Sequence, residues 1–158
     1  MVGIRALFRF GAREWRLVRL THRIHGHIGI YTTIGVKMGL YARESLGSPL
    51  SVVSFAGNTP PVSCMNDGLQ IGADATLGHG KISVSTDPHA RAEAEFRGSE
   101  KVLRLKLKPE YEERVLQDIR HGVEQFGSSP AYWRYVQSLA LRYWREWDRN
   151  QIFQKAGD

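Results

Sequence analysis

The 158-residue sequence contains one cysteine, Cys64, so it has no intrachain disulfide framework, and a reducing, cytoplasmic setting is the expectation. Nowhere does it approach the roughly 20 apolar residues in a row that span a bilayer. Arginines interrupt the opening MVGIRALFRFGAREWRLVRL every few positions, which removes the continuous core of a secretory signal. No transmembrane segment is therefore expected, and the N-terminal stretch reads as a helix with a solvated basic face. The sequence carries no phosphate-binding glycine loop, internal repeat, linker or low-complexity tract. One domain spanning 1–158 is expected, long enough to bury a proper core. The formal charge of +6 invites a nucleic-acid partner, but its distribution speaks against one. Residues 1–27 carry +5, residues 130–158 carry +2, and the middle is −1, with no basic groove or aromatic-basic platform there.

What is present has regular periods. A helical stripe runs through Trp15, Val18 and His22, and the glycines of His25-Gly26-His27-Ile28-Gly29 end it. Helical spacing returns from Thr32 to Leu46, with Thr32 or Thr33 as the cap and Gly47 as the close. Leu50 to Ala56 reads as a strand, and a short helix capped by Asn66 or Asp67 runs to Ala75. Further strands are expected at Lys81–Ser85, Ala92–Arg97 and Lys101–Lys108, the last two joined by a Gly98-Ser99 hairpin. In the last of these, Leu103, Leu105 and Leu107 alternate with Arg104, Lys106 and Lys108, the pattern of a half-buried antiparallel strand. Pro109 opens a helix to Phe126, and Ser129-Pro130 opens a long aromatic amphipathic helix over 130–153. Its broad face of Tyr132, Val136, Leu139, Tyr143 and Trp147 demands burial, in the domain or against a partner. The expected fold class is α+β: a mostly antiparallel sheet packed against several helices, with a long C-terminal helix.

Three groups carry candidate chemistry. His25 and His27 flank one glycine and can project from irregular backbone toward a common ion, for which imidazole suits zinc, nickel, copper or iron; a hydrogen-bonded structural or catalytic pair is the other reading. Cys64 stands just before a helix start, where a thiolate is stabilised, with Asp67 and Gln70 three apart on one helix face. A buried thiol beside a capping aspartate is the plainer alternative. His79 lies between Gly78 and Gly80, free to reach inward or into solvent.

The two segments His25-Gly26-His27-Ile28-Gly29 and Pro61–Gln70, the latter followed by Ala75-Thr76-Leu77-Gly78-His79-Gly80, resemble the FmdE-like family, which takes its name from formylmethanofuran dehydrogenase. The similarity is strongest over 15–110. It implies a compact α+β metal-binding protein that pairs as a homodimer, with His25, His27 and Cys64 around a divalent transition metal such as zinc. Asp67 and Gln70 are implied beside that ion. The chain departs from the family's His-Gly-His-x-Cys-Pro-Gly pattern: Gly29-Ile30-Tyr31 stands in place of Cys-Pro-Gly, and one thiolate is lost. An open site completed by water, Tyr31, Asp67 or His79 would follow, or a pocket kept for a small organic molecule. The leading expectation is a metal- or small-ligand-binding protein. An enzyme in which the ion activates water or polarises a substrate, with Asp67 or His79 moving the proton, is the first alternative. A noncatalytic subunit of a larger complex is the second.

Overall fold

In the computed structural model, which describes residues 4–157, five helices pack on one five-stranded sheet. Met1–Gly3 and Asp158 of the expected domain lie outside the described residues. The elements in chain order are α1 (Ile4–His25), α2 (Ile30–Leu46), β1 (Ser51–Ser54), a 3₁₀ turn (Val62–Cys64), α3 (Met65–Ala73), β2 (Ile82–Val84), β3 (Glu93–Arg97), β4 (Val102–Leu107), α4 (Pro109–Phe126), α5 (Pro130–Glu146) and β5 (Phe153–Lys155). The sheet order is β2-β1-β3-β4-β5, with β1 and β2 parallel across the α3 crossover and every other pair antiparallel. The α+β class is thus established, and no described helix is long and apolar enough to cross a membrane.

At the centre lies α2, buried on every side from Ile30 to Leu40. A helix enclosed all round needs neighbours on all faces, and α1, α3, α5 and the sheet supply them. Its tightest neighbour is α3. A Cβ added to Gly35 would lie 2.4 Å from the Met65 carbonyl oxygen, and one on Gly39 would lie 2.4 Å from the Ala73 nitrogen. Reciprocally, a Cβ on Gly68 would fall 2.0 Å from the Thr32 oxygen and one on Gly72 2.4 Å from that of Val36. Two four-residue glycine spacings therefore face each other and bring the helices into backbone contact. The contacts climb both helices together, so α2 and α3 run in the same direction, with their N-termini at one end.

The opposite side of α2 meets a buried ionic cluster. Lys37 and Glu14 are each 1% exposed, and the Lys37 Nζ donates to Glu14 Oε1 at 2.6 Å and to the Trp144 carbonyl at 3.2 Å. Arg149 donates to the other Glu14 oxygen at 2.9 Å and forks onto Glu44. The Phe10 ring lies 4.2 Å from the ammonium. Burial pushes the Lys37 pKa down while Glu14 pulls it back up, and burial prevails. Four segments of the chain are joined at this point: α1, α2, the end of α5 and the turn after it.

Several expectations are corrected. The buried stripe of α1 is Phe10, Glu14, Val18 and Thr21, which leaves His22 exposed. Helix α2 begins two residues earlier than expected, at Ile30, and Thr32 caps it from inside, its Oγ1 accepting from the Gly29 N–H at 3.0 Å. Asn66 is not a cap; its side chain ties α3 to Ser54 and to the Gly57 carbonyl. The β3–β4 turn spans residues 98–101, closed by Gly98 N–H to the Lys101 carbonyl at 2.9 Å. The expected helix over 130–153 stops at Glu146, and Asp148 closes a turn by accepting from the Asn150 N–H. The chain then enters β5, which adds Phe153 opposite Leu107. A strand of three residues is too short to show a period of its own. Most of the aromatic face of α5 is buried within the chain, where Tyr143 stacks on Trp147 at 3.9 Å and Trp144 is fully enclosed.

Gly68→Ala is expected to cost about 3 kcal/mol in urea denaturation, because its methyl group collides with backbone. Gly78→Ala, at a turn where nothing lies within 4 Å, should stay within about 0.5 kcal/mol of the parent. Glu14→Gln leaves two cations facing a neutral amide in the interior, with an expected loss of about 3–5 kcal/mol in the same assay.

Candidate functional site

A cavity of about 290 Å³ opens at the end where α2 and α3 begin. The end of α1 and its loop contribute His25, His27 and Gly29; the first turn of α2 contributes Ile30 and Tyr31; the residue before α3 contributes Cys64. Pro60-Pro61 forms one wall, and Ile119, Tyr132, Trp133 and Val136 from α4 and α5 form the other. The residues singled out in the first third of the sequence thus meet, although they lie up to 39 positions apart between His25 and Cys64.

Local chain geometry places each group. Gly26 takes φ 90°, a conformation that releases the chain from α1 and turns His27 back beside His25. The two imidazole rings lie 4.7 Å apart, and the edge of His27 meets Trp133 at 5.5 Å. The Nδ1 of His25 is hydrogen-bonded to Asp67 Oδ2 at 2.6 Å, which fixes the ring and leaves Nε2 as its available nitrogen. Burial, then repulsion from His25 and His22, holds the His27 pKa below its usual value, so its ring is neutral near pH 7.

Cys64 lies just before α3, as expected, and is its N-cap residue in place of the expected Asn66 or Asp67, but its thiol is not activated. Burial pushes its pKa up and the Asp67 carboxylate raises it further, and these effects outweigh the helix end. Tyr31 is 3% exposed, and its hydroxyl has no hydrogen-bond partner among the described residues. Burial, then Glu112 and Cys64, pushes its pKa up to about 12, so it remains a neutral phenol.

Gly29 sits at the mouth of α2 with φ −98° and ψ 164°, ordinary extended backbone. A Cβ there would lie 3.3 Å from His27 Nε2 and 3.2 Å from Thr32 Oγ1. The position that departs from the family pattern therefore borders the cavity, and glycine there leaves space next to the imidazole.

Two residues named from the sequence lie elsewhere. Gln70 faces a different cleft, where its Oε1 accepts from the Leu77 N–H at 3.0 Å and supports the turn after α3. His79 is in that exposed turn and lines none of the cavity. Asp67 stands between the cleft and the cavity, touching the latter through His25. Sequence reasoning missed Pro60, Pro61, Ile119 and the Tyr132-Trp133 pair. One signal was present: adjacent aromatics on a helix cannot both face the core, and Trp133 is 56% exposed.

Among the described residues, no three His, Cys, Asp or Glu groups converge on one point as metal ligands. The donor types nonetheless suit a borderline divalent ion: two imidazoles, one of them held by a carboxylate, and a thiol that joins only on losing its proton. The sequence model of the family described as "FmdE, Molybdenum formylmethanofuran dehydrogenase operon" matches residues 24–154. No curated protein matches the chain.

The lowered His27 pKa makes stability depend on pH in a defined direction. Between that lowered value and about 6.5, the unfolded chain binds a proton that the folded chain refuses. This contribution is fully present above about 6.5 and is lost as pH falls toward the folded value. In an NMR titration the His27 ring signal should move with a midpoint below 6.5, and His27→Gln should flatten the acid side of the stability profile.

Proposed function

We propose that this chain, which belongs to the FmdE family, is a ligand-binding protein whose working site is the cavity at the paired starts of α2 and α3. The observation that carries this reading is the gathering of two imidazoles, a thiol and an unpartnered phenol from three separate segments into one partly enclosed space. A mostly apolar wall with a few convergent polar groups is the usual construction of a small-ligand site.

A second reading, a divalent ion such as zinc, is favoured by the Asp67–His25 contact, since a carboxylate on the far nitrogen is how metal-binding histidines are commonly oriented. His25 and His27 would hold the ion, with Cys64 as a third donor after deprotonation. Bound there, it would supply a Lewis-acidic centre.

Calorimetric titration of untagged protein with zinc chloride tests the metal reading. One ion per chain is expected, bound about 10–100-fold more weakly in Asp67→Asn and more tightly in Gly29→Cys, which returns a thiol beside His27. If zinc leaves the His25 and His27 ring signals unmoved, the metal reading falls. If a library of small aromatic and polar fragments also leaves them unmoved, the ligand-binding function falls with it.

A further inference from the structure

Resting on the ligand-binding reading, we infer that the cavity takes a compact aromatic molecule bearing a single carboxylate, with the carboxylate at the start of α2 and the ring against Trp133 and the Pro60-Pro61 wall. The anionic end is argued from two independent features. First, the N-terminus of the 17-residue α2 opens at the cavity, where Thr32 takes only the Gly29 N–H, whereas α3 continues from the 3₁₀ turn, whose carbonyls accept its first N–H groups. Aligned peptide dipoles make such an end favourable to negative charge, and the free N–H groups of the first turn are ready donors.

Second, the Tyr31 hydroxyl is a buried donor without an acceptor. The Trp144 Nε1 is the one unpartnered side-chain polar atom fully shut off from solvent among the described residues. The Tyr31 hydroxyl is therefore not shut off, and Tyr31 is among the residues that line the cavity. A neutral phenol is suited to donate to a carboxylate oxygen, and an unmet buried hydroxyl gains most from receiving one.

The charge must be single. No lysine or arginine lines the cavity. A phosphate dianion would enter an apolar space without a countercharge, which is unfavourable. No carboxylate is in its lining either: Asp67 is engaged by His25, and Glu112, which acts on Tyr31, stands outside the lining, so a cationic ligand has no carboxylate to pair with within the cavity. The aromatic end follows from the walls. The indole of Trp133 meets the His27 edge at 5.5 Å and Tyr132 at 5.4 Å, yet remains over half exposed. A flat ring can cover it and exchange water for stacking.

Calorimetry and histidine ring NMR with four probes test the inference: benzoate, cyclohexanecarboxylate, benzylammonium and phenyl phosphate. Benzoate is expected to bind and to shift the His25 and His27 signals, with the other three binding more weakly. Tyr31→Phe, which keeps the ring and the packing, should weaken benzoate at least tenfold while its thermal unfolding stays close to the parent. Trp133→Ala, at an exposed position, should bring benzoate and cyclohexanecarboxylate close to equal. Benzylammonium or phenyl phosphate binding as well as benzoate would overturn the inference and leave the ligand-binding reading standing. So would a Tyr31→Phe variant that folds and binds benzoate undiminished. If no probe moves either histidine, both fall.

Discussion

Along the line where α2 meets α3 there are no side chains to separate the two backbones. Gly35 and Gly39 face Gly68 and Gly72, and each would drive a methyl group into main-chain atoms if it carried one. This contact sets more than local packing. Because the two helices run together and start together, their N-terminal ends are brought side by side, and Cys64 lands next to Gly29 and Tyr31. At the same end, Asp67, in the first turn of α3, reaches His25, the last residue of α1. A helix pair kept apart by ordinary side chains would sit roughly 8–10 Å axis to axis, and the backbone contacts at these four glycines would be lost.

The ionic cluster around Lys37 complements this contact from the far side of α2. Glycines set how near α3 comes, while Glu14, Lys37 and Arg149 tie α1 and the end of α5 to the same central helix. Burying charges gives little net stability by itself, since their desolvation offsets much of their attraction. Its consequence is selectivity: an arrangement that fails to join these segments leaves a buried charge alone. The cavity walls from α5 and the loop from α1 are thereby referred to one frame, which a site assembled from distant segments requires.

Much of the fold was legible. The alternation of Leu103, Leu105 and Leu107 marked β4, Pro109 and Pro130 marked two helix starts, and Gly47 marked a helix end. These signals are local, set by side-chain period and backbone freedom. β5 was not legible, because three residues paired to β4 owe their conformation to the partner strand. The reach of α5 was overestimated for a related reason: Trp147 and Phe153 are apolar enough to prolong a helical stripe, while the Asp148 turn breaks it.

For the site, the sequence by itself determined which chemical groups were available: two histidines astride a glycine, one cysteine beside a helix start, and a second glycine, Gly29, two positions after His27. Composition and spacing suffice for that, since they fix donor types and the local direction of the chain. Only the tertiary structure decided which of them share a space. Gln70 and His79 are close to Asp67 in the chain yet turn away, whereas Trp133 and Tyr132, some seventy positions from Cys64, close the cavity. It also decided their protonation, since the helix start that should have favoured a Cys64 thiolate is outweighed by burial and by Asp67. Proximity and desolvation are properties of packed neighbours, and packing between distant segments is not written in the order of residues along either one.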